Sequence, residues 1–316
     1  MLLKIVLSGM LQEIPGFKSL RPRVRQDPGF TARYCYSTWL RHLVTSFKGG
    51  LQKIPEAVAE LGPGDSLGTG LAAILSGAAR FYALDILPYA DSGQNLRVFE
   101  ELVELFKARS PVPGNDEFPD LKPPLEDYPF PSWILSEALL KESLAAKRLE
   151  AIRQILKNTE RKPVPGGLEI RYFVPWCDPG VIQEQSLDMI FSQAVLEHVT
   201  DLSLAYGAMS RWLKPGGWMS HQIDFKSHGT SKYWNGHWRY PSWAWDMITG
   251  KRKYFLNRQP CSVHLALHRE HGFEITGELR YAATETLSRH QLASPFRNFS
   301  EADFSTSGVL IQSRKK

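Results

Sequence analysis

Short apolar segments with strand character alternate with helical patterns along this chain, and this alternation constrains its fold more than any other feature. Such alternation is typical of a parallel sheet covered by helices, because parallel strands need long crossover connections. The final two predicted strands are joined by a segment with too weak a helical pattern for a crossover, so we predict a doubly wound α/β sheet whose last strand is antiparallel. The predicted strands are Ala57–Leu61, Ala79–Ile86, Leu168–Val174, Leu187–Ser192, Trp218–Phe225, Phe273–Ala282 and Phe304–Ser313.

Two long insertions interrupt the alternation. The first, residues 91–167, combines a helical pattern over Asn95–Lys107, a Pro-rich loop and a long helical pattern over Ser132–Asn158. We interpret it as a helical cap over the ligand-binding edge of the sheet. The second, residues 226–260, has no clear period and is rich in aromatic residues, which is typical of a lid.

The ends of the chain and its composition limit the class of protein. Residues 1–50 are predicted to form an N-terminal helical cap in front of the main domain, residues 51–316. The net charge is +5, but the basic residues are scattered apart from short runs such as 251–253, so a nucleic-acid partner is not favoured. The three cysteines form no CxxC pair. We expect a cytoplasmic protein without a signal peptide or membrane span, and its oligomeric state stays open.

A glycine-rich loop, ELGPGDSLGTG at residues 60–70, follows the first predicted strand. In an open α/β sheet this turn lies closest to a bound nucleotide, and glycines let the ligand approach the backbone. The dinucleotide pattern GxGxxG fails at Leu67. Glu60 and Asp65 would repel a pyrophosphate, whereas the ammonium group of S-adenosylmethionine (SAM) would attract them. Asp85 ends the second strand, where a carboxylate can accept the ribose hydroxyls of either cofactor.

Residues 187–217 read LDMIFSQAVLEHVTDLSLAYGAMSRWLKPGG. This segment resembles the class I SAM-dependent methyltransferases of the type 11 group, whose fourth strand reads D-L-I-x-S-x-x-V-L-E-H-V and whose fifth strand follows L-K-P-G-G. The resemblance implies a Rossmann-like seven-stranded sheet, SAM as the cofactor and methyl transfer as the activity. It gives Glu197 and His198, at a helix start, a structural or cofactor-side role.

The resemblance also implies which residues contact SAM. The methionine part would lie along the glycine loop, the ribose at the end of the second strand, and the methyl group beside the fourth. The adenine would lie near an acidic residue after the third strand. Ser66 stands where the family commonly has its third glycine. The implied cofactor-binding residues are Glu60, Gly62, Gly64, Asp65, Asp85, Ile86, Asp178, Ser192 and Gln193.

The segment SHQIDFKSHG, residues 220–229, leaves the fifth strand at the ligand edge. It offers His221, Asp224 and His228 as catalytic bases for a hydroxyl acceptor, with His237 farther along the chain. A divalent metal is the alternative, because His and Asp clusters also bind cations. His221 and Asp224 are separated by an odd number of residues, which places them on opposite faces of a strand, so no metal site is predicted.

The aromatic residues of the second insertion allow two interpretations. Rings with polar groups suit sugar or aromatic substrates, or they fix the lid to the domain. We predict a SAM-dependent methyltransferase that O-methylates a sugar, a glycan or another small hydroxyl compound. The alternatives are a non-catalytic SAM-fold binding protein and an NAD-dependent oxidoreductase. The aromatic residues are Tyr233, Trp234, Trp238, Tyr240, Trp243 and Trp245.

Overall fold

The computed structural model describes residues 31–157, 167–176, 178–250 and 255–316. Within them one sheet is formed by β1 Ala57–Leu61, β2 Arg80–Leu84, β3 Glu169–Phe173, β4 Leu187–Gln193, β5 Leu213–Asp224, β6 Phe273–Tyr281 and β7 Gly308–Lys315. The strand order is β3-β2-β1-β4-β5-β7-β6. The first five strands pair in parallel, and β7 runs antiparallel between β5 and β6. The predicted seven-stranded sheet with an antiparallel last strand is confirmed.

Helices cover both faces of this sheet. One hydrophobic core lies between the sheet and the first five helices, and a second lies under α6 and α8 on the opposite face. The helices are α1 Ala32–Lys48, α2 Gly68–Leu75, α3 Ser92–Lys107, α4 Glu137–Ser143, α5 Ala146–Lys157, α6 Leu202–Trp212, α7 Ser242–Thr249, α8 Cys261–Glu270 and α9 Glu301–Ser305.

Two predicted elements have different bounds in the structure. The single helix predicted over Ser132–Asn158 is wrong: Ser136 caps α4, that helix ends at Ser143, and α5 begins anew at Ala146. The last strand does not begin at Phe304, because Ser300 accepts the N–H of Asp303 and starts α9 there. Side-chain caps of this kind stop or start a helix against the hydrophobic pattern.

The first insertion is not simply a cap over the ligand edge. Its helices α3 and α5 pack against each other on the face of the sheet that α1 also covers. The Pro-rich loop between α3 and α4 does reach the edge, where the Lys122 carbonyl accepts a hydrogen bond from the Gln193 side-chain amide at 3.1 Å. The insertion therefore contributes to the core through its helices and to the edge through its loop.

Strand β5 sends successive side chains to opposite faces, as the alternation of a strand requires. Ser220 lies 2.7 Å from the Nδ1 atom of His42 on α1. His221 points the other way, with its ring 6.4 Å from that of His268 on α8. The strand ends at Asp224, which is half-buried at the carboxyl edge of the sheet.

Three sequence predictions lie partly outside the described residues: the absence of a signal peptide, the start of the N-terminal cap at residues 1–30, and the basic run at 251–253. The described part of the cap is α1, which begins where the Thr31 side chain accepts the N–H of Tyr34. None of the helices among the described residues has the length and apolar character needed to cross a bilayer.

Candidate active site

A cavity of about 470 Å³ opens at the carboxyl ends of β1, β2 and β4. We call it the glycine-loop cavity. In an open α/β sheet this is the edge where ligands bind. Apolar side chains form one part of its wall, and a single buried carboxylate stands among them. Its lining includes Gly62, Gly64, Asp85, Ile86, Trp176 and Ala194.

The two first glycines of the loop serve different purposes. Gly62 has φ +61°, and a Cβ added there would lie 2.6 Å from a methyl group of Val195. It therefore lets the loop after β1 pack closely on the loop after β4. Gly64 has φ +67°, and a Cβ there would meet no atom within 4 Å. This backbone conformation favours glycine at position 64, and the absence of a side chain leaves the main chain there accessible to a ligand.

The loop enters α2 through side-chain contacts that take the place of a third glycine. The Ser66 hydroxyl accepts the N–H of Gly68 at 3.1 Å, and the Asn95 side chain accepts the N–H of Leu67 at 2.9 Å. A Cβ at Gly68 would lie 2.5 Å from the sulfur of Cys35 on α1. The departures from the two sequence patterns, at Leu67 and at Ser66, are thus accommodated by α1 and α3, which pack against this turn.

Asp85 presents its carboxylate to the glycine-loop cavity. One oxygen accepts the N–H of Ile86 at 2.7 Å, and the other accepts the N–H of Gly64 at 3.3 Å. Burial raises the pKa of Asp85, and the N–H groups of Ile86, Leu87 and Gly64 oppose that rise. Carboxylate oxygens can accept further hydrogen bonds, so this group is placed to bind a pair of hydroxyls.

The structure separates the other predicted cofactor residues from this cavity. Glu60 is 3% exposed, and burial raises its pKa to about 8. Hydrogen bonds from the Gly70 N–H and the Thr69 hydroxyl oppose this rise. Asp65 lies in the same turn outside the cavity lining. The Asp178 carboxylate is exposed and accepts the N–H of Gly180 at 2.8 Å. Ser192 is fully buried, and its hydroxyl lies 2.8 Å from His221 Nδ1.

A second cavity, of about 350 Å³, adjoins the first at the ends of β4 and β5. We call it the β5 cavity. Ala194 lines both cavities, whereas Gln193 lines only this one. Its wall combines apolar surface with several polar and charged side chains, and comes from α1, the Pro-rich loop, β4, β5, β6 and the start of β7. The lining includes Tyr34, Lys122, Gln193, Gln222, Asp224 and Tyr281.

Asp224 lines the β5 cavity and a third cavity beside it, and His228 lines the third cavity. The Asp224 carboxylate lies 3.6 Å from His228 Nε2 and accepts the N–H of Lys226 at 3.0 Å. Burial alone would raise the pKa of Asp224, but the contact with His228 and the Lys226 N–H and charge bring it below its usual value. His228 has φ +42°, an unusual backbone conformation for a residue with a side chain.

His221 does not belong to this group. His221 lies on β5 and its side chain is fully buried. Burial lowers its pKa well below the usual value, and the neighbouring His268 and His42 lower it further. Its position follows from the odd separation from Asp224, which sends the two side chains to opposite faces. His237 is also fully buried, and burial lowers its pKa to about 3.

The pair Glu197 and His198 occupies a short 3-10 turn directly after β4. His198 lines the glycine-loop cavity, and its ring centroid lies 5.0 Å from that of His228. Burial, followed by the nearby His228, lowers the pKa of His198. Burial raises the pKa of Glu197 well above its usual value. Sequence reasoning gave this pair a supporting role and did not connect it with His228, because only the fold brings the two segments together.

The aromatic residues of the second insertion mostly fix it to the domain. Trp234, Trp238 and Trp245 are each at most 6% exposed. Trp238 stacks on Phe296, and the Arg258 guanidinium lies 4.8 Å from the Trp245 ring centroid. These three tryptophans form a hydrophobic core for the insertion, whereas Trp243 is 69% exposed and Tyr233 lines the third cavity.

Comparison with known proteins agrees with this architecture. A family model described as a methyltransferase domain matches residues 180–220, which span β4, α6 and the start of β5. No curated protein matches the sequence. The strand order and this match to part of the chain agree with the resemblance to class I SAM-dependent methyltransferases.

Several solved structures are similar over most of the chain. An S-adenosylmethionine-dependent methyltransferase from Mesorhizobium loti is 14% identical, with a TM-score of 0.40 over 87% of this chain and 98% of its own. A methyltransferase from Methanosarcina mazei is also 14% identical, with a TM-score of 0.40 over 85% of this chain and 96% of its own. Phosphoethanolamine N-methyltransferase 2 of Haemonchus contortus, solved with S-adenosyl-L-methionine, is 14% identical, with a TM-score of 0.42 over 96% of this chain and 61% of its own.

Proposed function

We propose that the protein transfers the methyl group of SAM to a hydroxyl of a sugar or another small polar compound. The observation that carries this proposal is the meeting of two cavities at Ala194. The glycine-loop cavity has a carboxylate for ribose hydroxyls and an apolar wall for a base, and the β5 cavity has hydrogen-bonding and charged side chains. Holding donor and acceptor next to each other supplies much of the rate of a displacement reaction.

The glycine-loop cavity fits SAM. Asp85 would accept the ribose hydroxyls, and the apolar wall near Trp176 and Ile86 would contact the adenine. Gly64 leaves its backbone open beside the methionine part. When bound, SAM supplies an electrophilic methyl group, and the chain supplies position and exclusion of water.

The β5 cavity fits a hydroxylated acceptor. Lys122, Gln193 and Asp224 contribute polar and charged side chains to its lining, and Tyr281 contributes an aromatic ring. Polar groups that converge in this way recognise sugar hydroxyls better than apolar substrates. Asp224, paired with His228, would accept the proton of the reacting hydroxyl.

Calorimetry with SAM, its demethylated product and NAD tests the cofactor. We expect SAM to bind and Asp85→Ala to weaken it about 100-fold, because two hydrogen bonds to a charged group are lost. Asp178→Ala is the matched control and should bind like the wild type. Binding of NAD but not SAM would refute the proposal.

Methyl transfer from radiolabelled SAM to a panel of sugars, polyols and phenols then tests the acceptor. We expect turnover with sugars or polyols. SAM binding without turnover on any acceptor would favour the non-catalytic alternative, and turnover on phenols alone would replace the acceptor class.

A further inference from the structure

Three potential metal ligands meet where the turn after β4 faces the loop after β5. A carboxylate oxygen of Glu197 and one ring nitrogen each of His198 and His228 all lie within 4.8 Å of one another. His198 lines the glycine-loop cavity, and His228 lines the third cavity, of about 420 Å³, which shares Asp224 and Lys226 with the β5 cavity. The cluster thus lies at the junction of the proposed donor and acceptor sites.

No ion pair joins Glu197 to another of the described residues. It is 2% exposed, and its carboxylate oxygens form no hydrogen bond of standard geometry, although the main-chain N–H groups of Glu197 and Asp224 lie near enough to oppose the rise of its pKa. A buried carboxylate without a hydrogen-bonding or charged partner is costly, so such groups are normally paired or bind a cation. The two histidines beside it are donors that a transition-metal ion accepts.

The rest of the turn is built to hold His198 as a ligand. Its Nδ1 atom lies 3.1 Å from the carbonyl oxygen of Phe255, so Nδ1 carries the proton and Nε2 keeps its lone pair. A backbone carbonyl behind an imidazole is the usual second partner of a metal-bound histidine. The Asn257 amide donates to the carbonyls of Leu196 at 2.7 Å and Val199 at 2.9 Å, which fixes the turn on both sides of His198.

His228, the third potential ligand, is in contact with Asp224. The Asp224 carboxylate lies 3.6 Å from His228 Nε2, and the positive φ of His228 turns this residue back toward the edge of β5. Lys226 is the nearby positive charge, 3.9 Å from the same carboxylate and paired with it.

We propose that Glu197, His198 and His228 bind one divalent first-row transition-metal ion, such as Zn²⁺ or Mn²⁺. Two imidazole nitrogens and one carboxylate oxygen favour such ions over Mg²⁺ or Ca²⁺, which prefer oxygen ligands alone. Ligand atoms about 2.1 Å from one ion lie closer together than the observed limit of 4.8 Å, so small side-chain rotations complete the site.

The role of the ion rests on the proposed function, whereas its binding does not. Three protein ligands leave a position open for the acceptor oxygen. An oxygen bound there loses its proton more readily, and the proton passes to Asp224. The oxygen–carbon bond forms as the sulfur–carbon bond of SAM breaks, and the electron pair of that bond leaves with sulfur.

The test uses Co²⁺ as a spectroscopic probe. The full chain, treated with a chelator and free of SAM, is titrated with Co²⁺ while its visible absorption is followed, and Zn²⁺ is then added as a competitor. We expect one Co²⁺ per chain with micromolar or tighter affinity, displaced by Zn²⁺. Glu197→Gln and His228→Gln should each weaken binding at least tenfold.

His290→Gln, at an exposed histidine of the loop before α9, is the matched control and should bind like the wild type. Circular dichroism and urea unfolding are used to check that both variants are folded, and the His228 side chain is 24% exposed. Absence of Co²⁺ binding, or equal binding by the wild type and both variants, would overturn the site. Methyl transfer by metal-free protein would remove only the role of the ion, while metal binding without methyl transfer would leave the site and refute the function.

Discussion

Histidines lie on both sides of β5, in opposite environments. On the core side, His221, His264 and His268 are fully buried around α8, and burial lowers the pKa of His264 to about 3 and of His268 to about 4. At the carboxyl edge, His198 and His228 border cavities and face carboxylates. Residue type is the same in both regions, so burial and partners decide which histidines can do chemistry.

The largest expected effect is at the edge. Asp224→Asn keeps the shape of the side chain but removes the charge that pairs with His228 and that we propose accepts the proton. We expect kcat to fall by about 10²- to 10⁴-fold, the usual contribution of a general base. Steady-state methyl transfer at saturating SAM measures it, and calorimetry should show unchanged SAM binding. A kcat within a factor of three of the wild type would remove Asp224 from the mechanism.

The next largest effect is the loss of folding stability at low pH that the buried core histidines cause. Between pH 6.5 and about pH 4 the unfolded chain binds protons that buried His42, His264 and His268 exclude, so the free energy of unfolding falls as the pH falls. The contribution of one such histidine is on the order of 2 kcal/mol. Urea unfolding of the wild type and His264→Gln at pH 7 and pH 4.5 isolates it.

Glu60 has the opposite effect on the free energy of unfolding. Its pKa of about 8 means that below pH 8 the folded chain keeps a proton on Glu60, whereas the unfolded chain releases that proton until the pH falls to the usual pKa of a glutamate, so this group adds stability as the pH falls. The comparison of wild type with His264→Gln cancels this contribution. The variant should lose less stability at pH 4.5 than the wild type does. Equal losses in both proteins would show that His264 is not held neutral by burial.

The smallest effect separates the two regions directly. His221→Gln removes a core histidine that the sequence suggests as a base, and we expect kcat/KM to change by less than about threefold. The free energy of unfolding should fall by about 1 kcal/mol, because the hydrogen bond with Ser192 is lost. A hundredfold loss of activity with unchanged stability would place His221 in the catalytic site after all.

The sequence predicted the sheet well because each strand is a local pattern. The glycine loop, Asp85 and the segment after β4 also sit within single strand-to-helix connections, so their position follows from the fold. For the proposed acceptor site the sequence indicated Asp224 and His228 but not Lys122 or Tyr281, because these two residues come from other parts of the chain and only the fold brings them to the β5 cavity. The aromatic insertion gave no guide either, because tryptophan suits a buried core as well as a binding surface.

The junction of the two cavities at Ala194 has a consequence for how this enzyme can vary. Ala194 has φ +53°, so the backbone is already turned in a way that larger or branched side chains resist. Its side chain, a single methyl group, lies where the linings of the two cavities meet. A bulkier residue at position 194 would still let a ligand bind in each cavity but would separate the two ligands. We therefore expect changes of substrate preference to arise in the loops that line the cavities and not at Ala194.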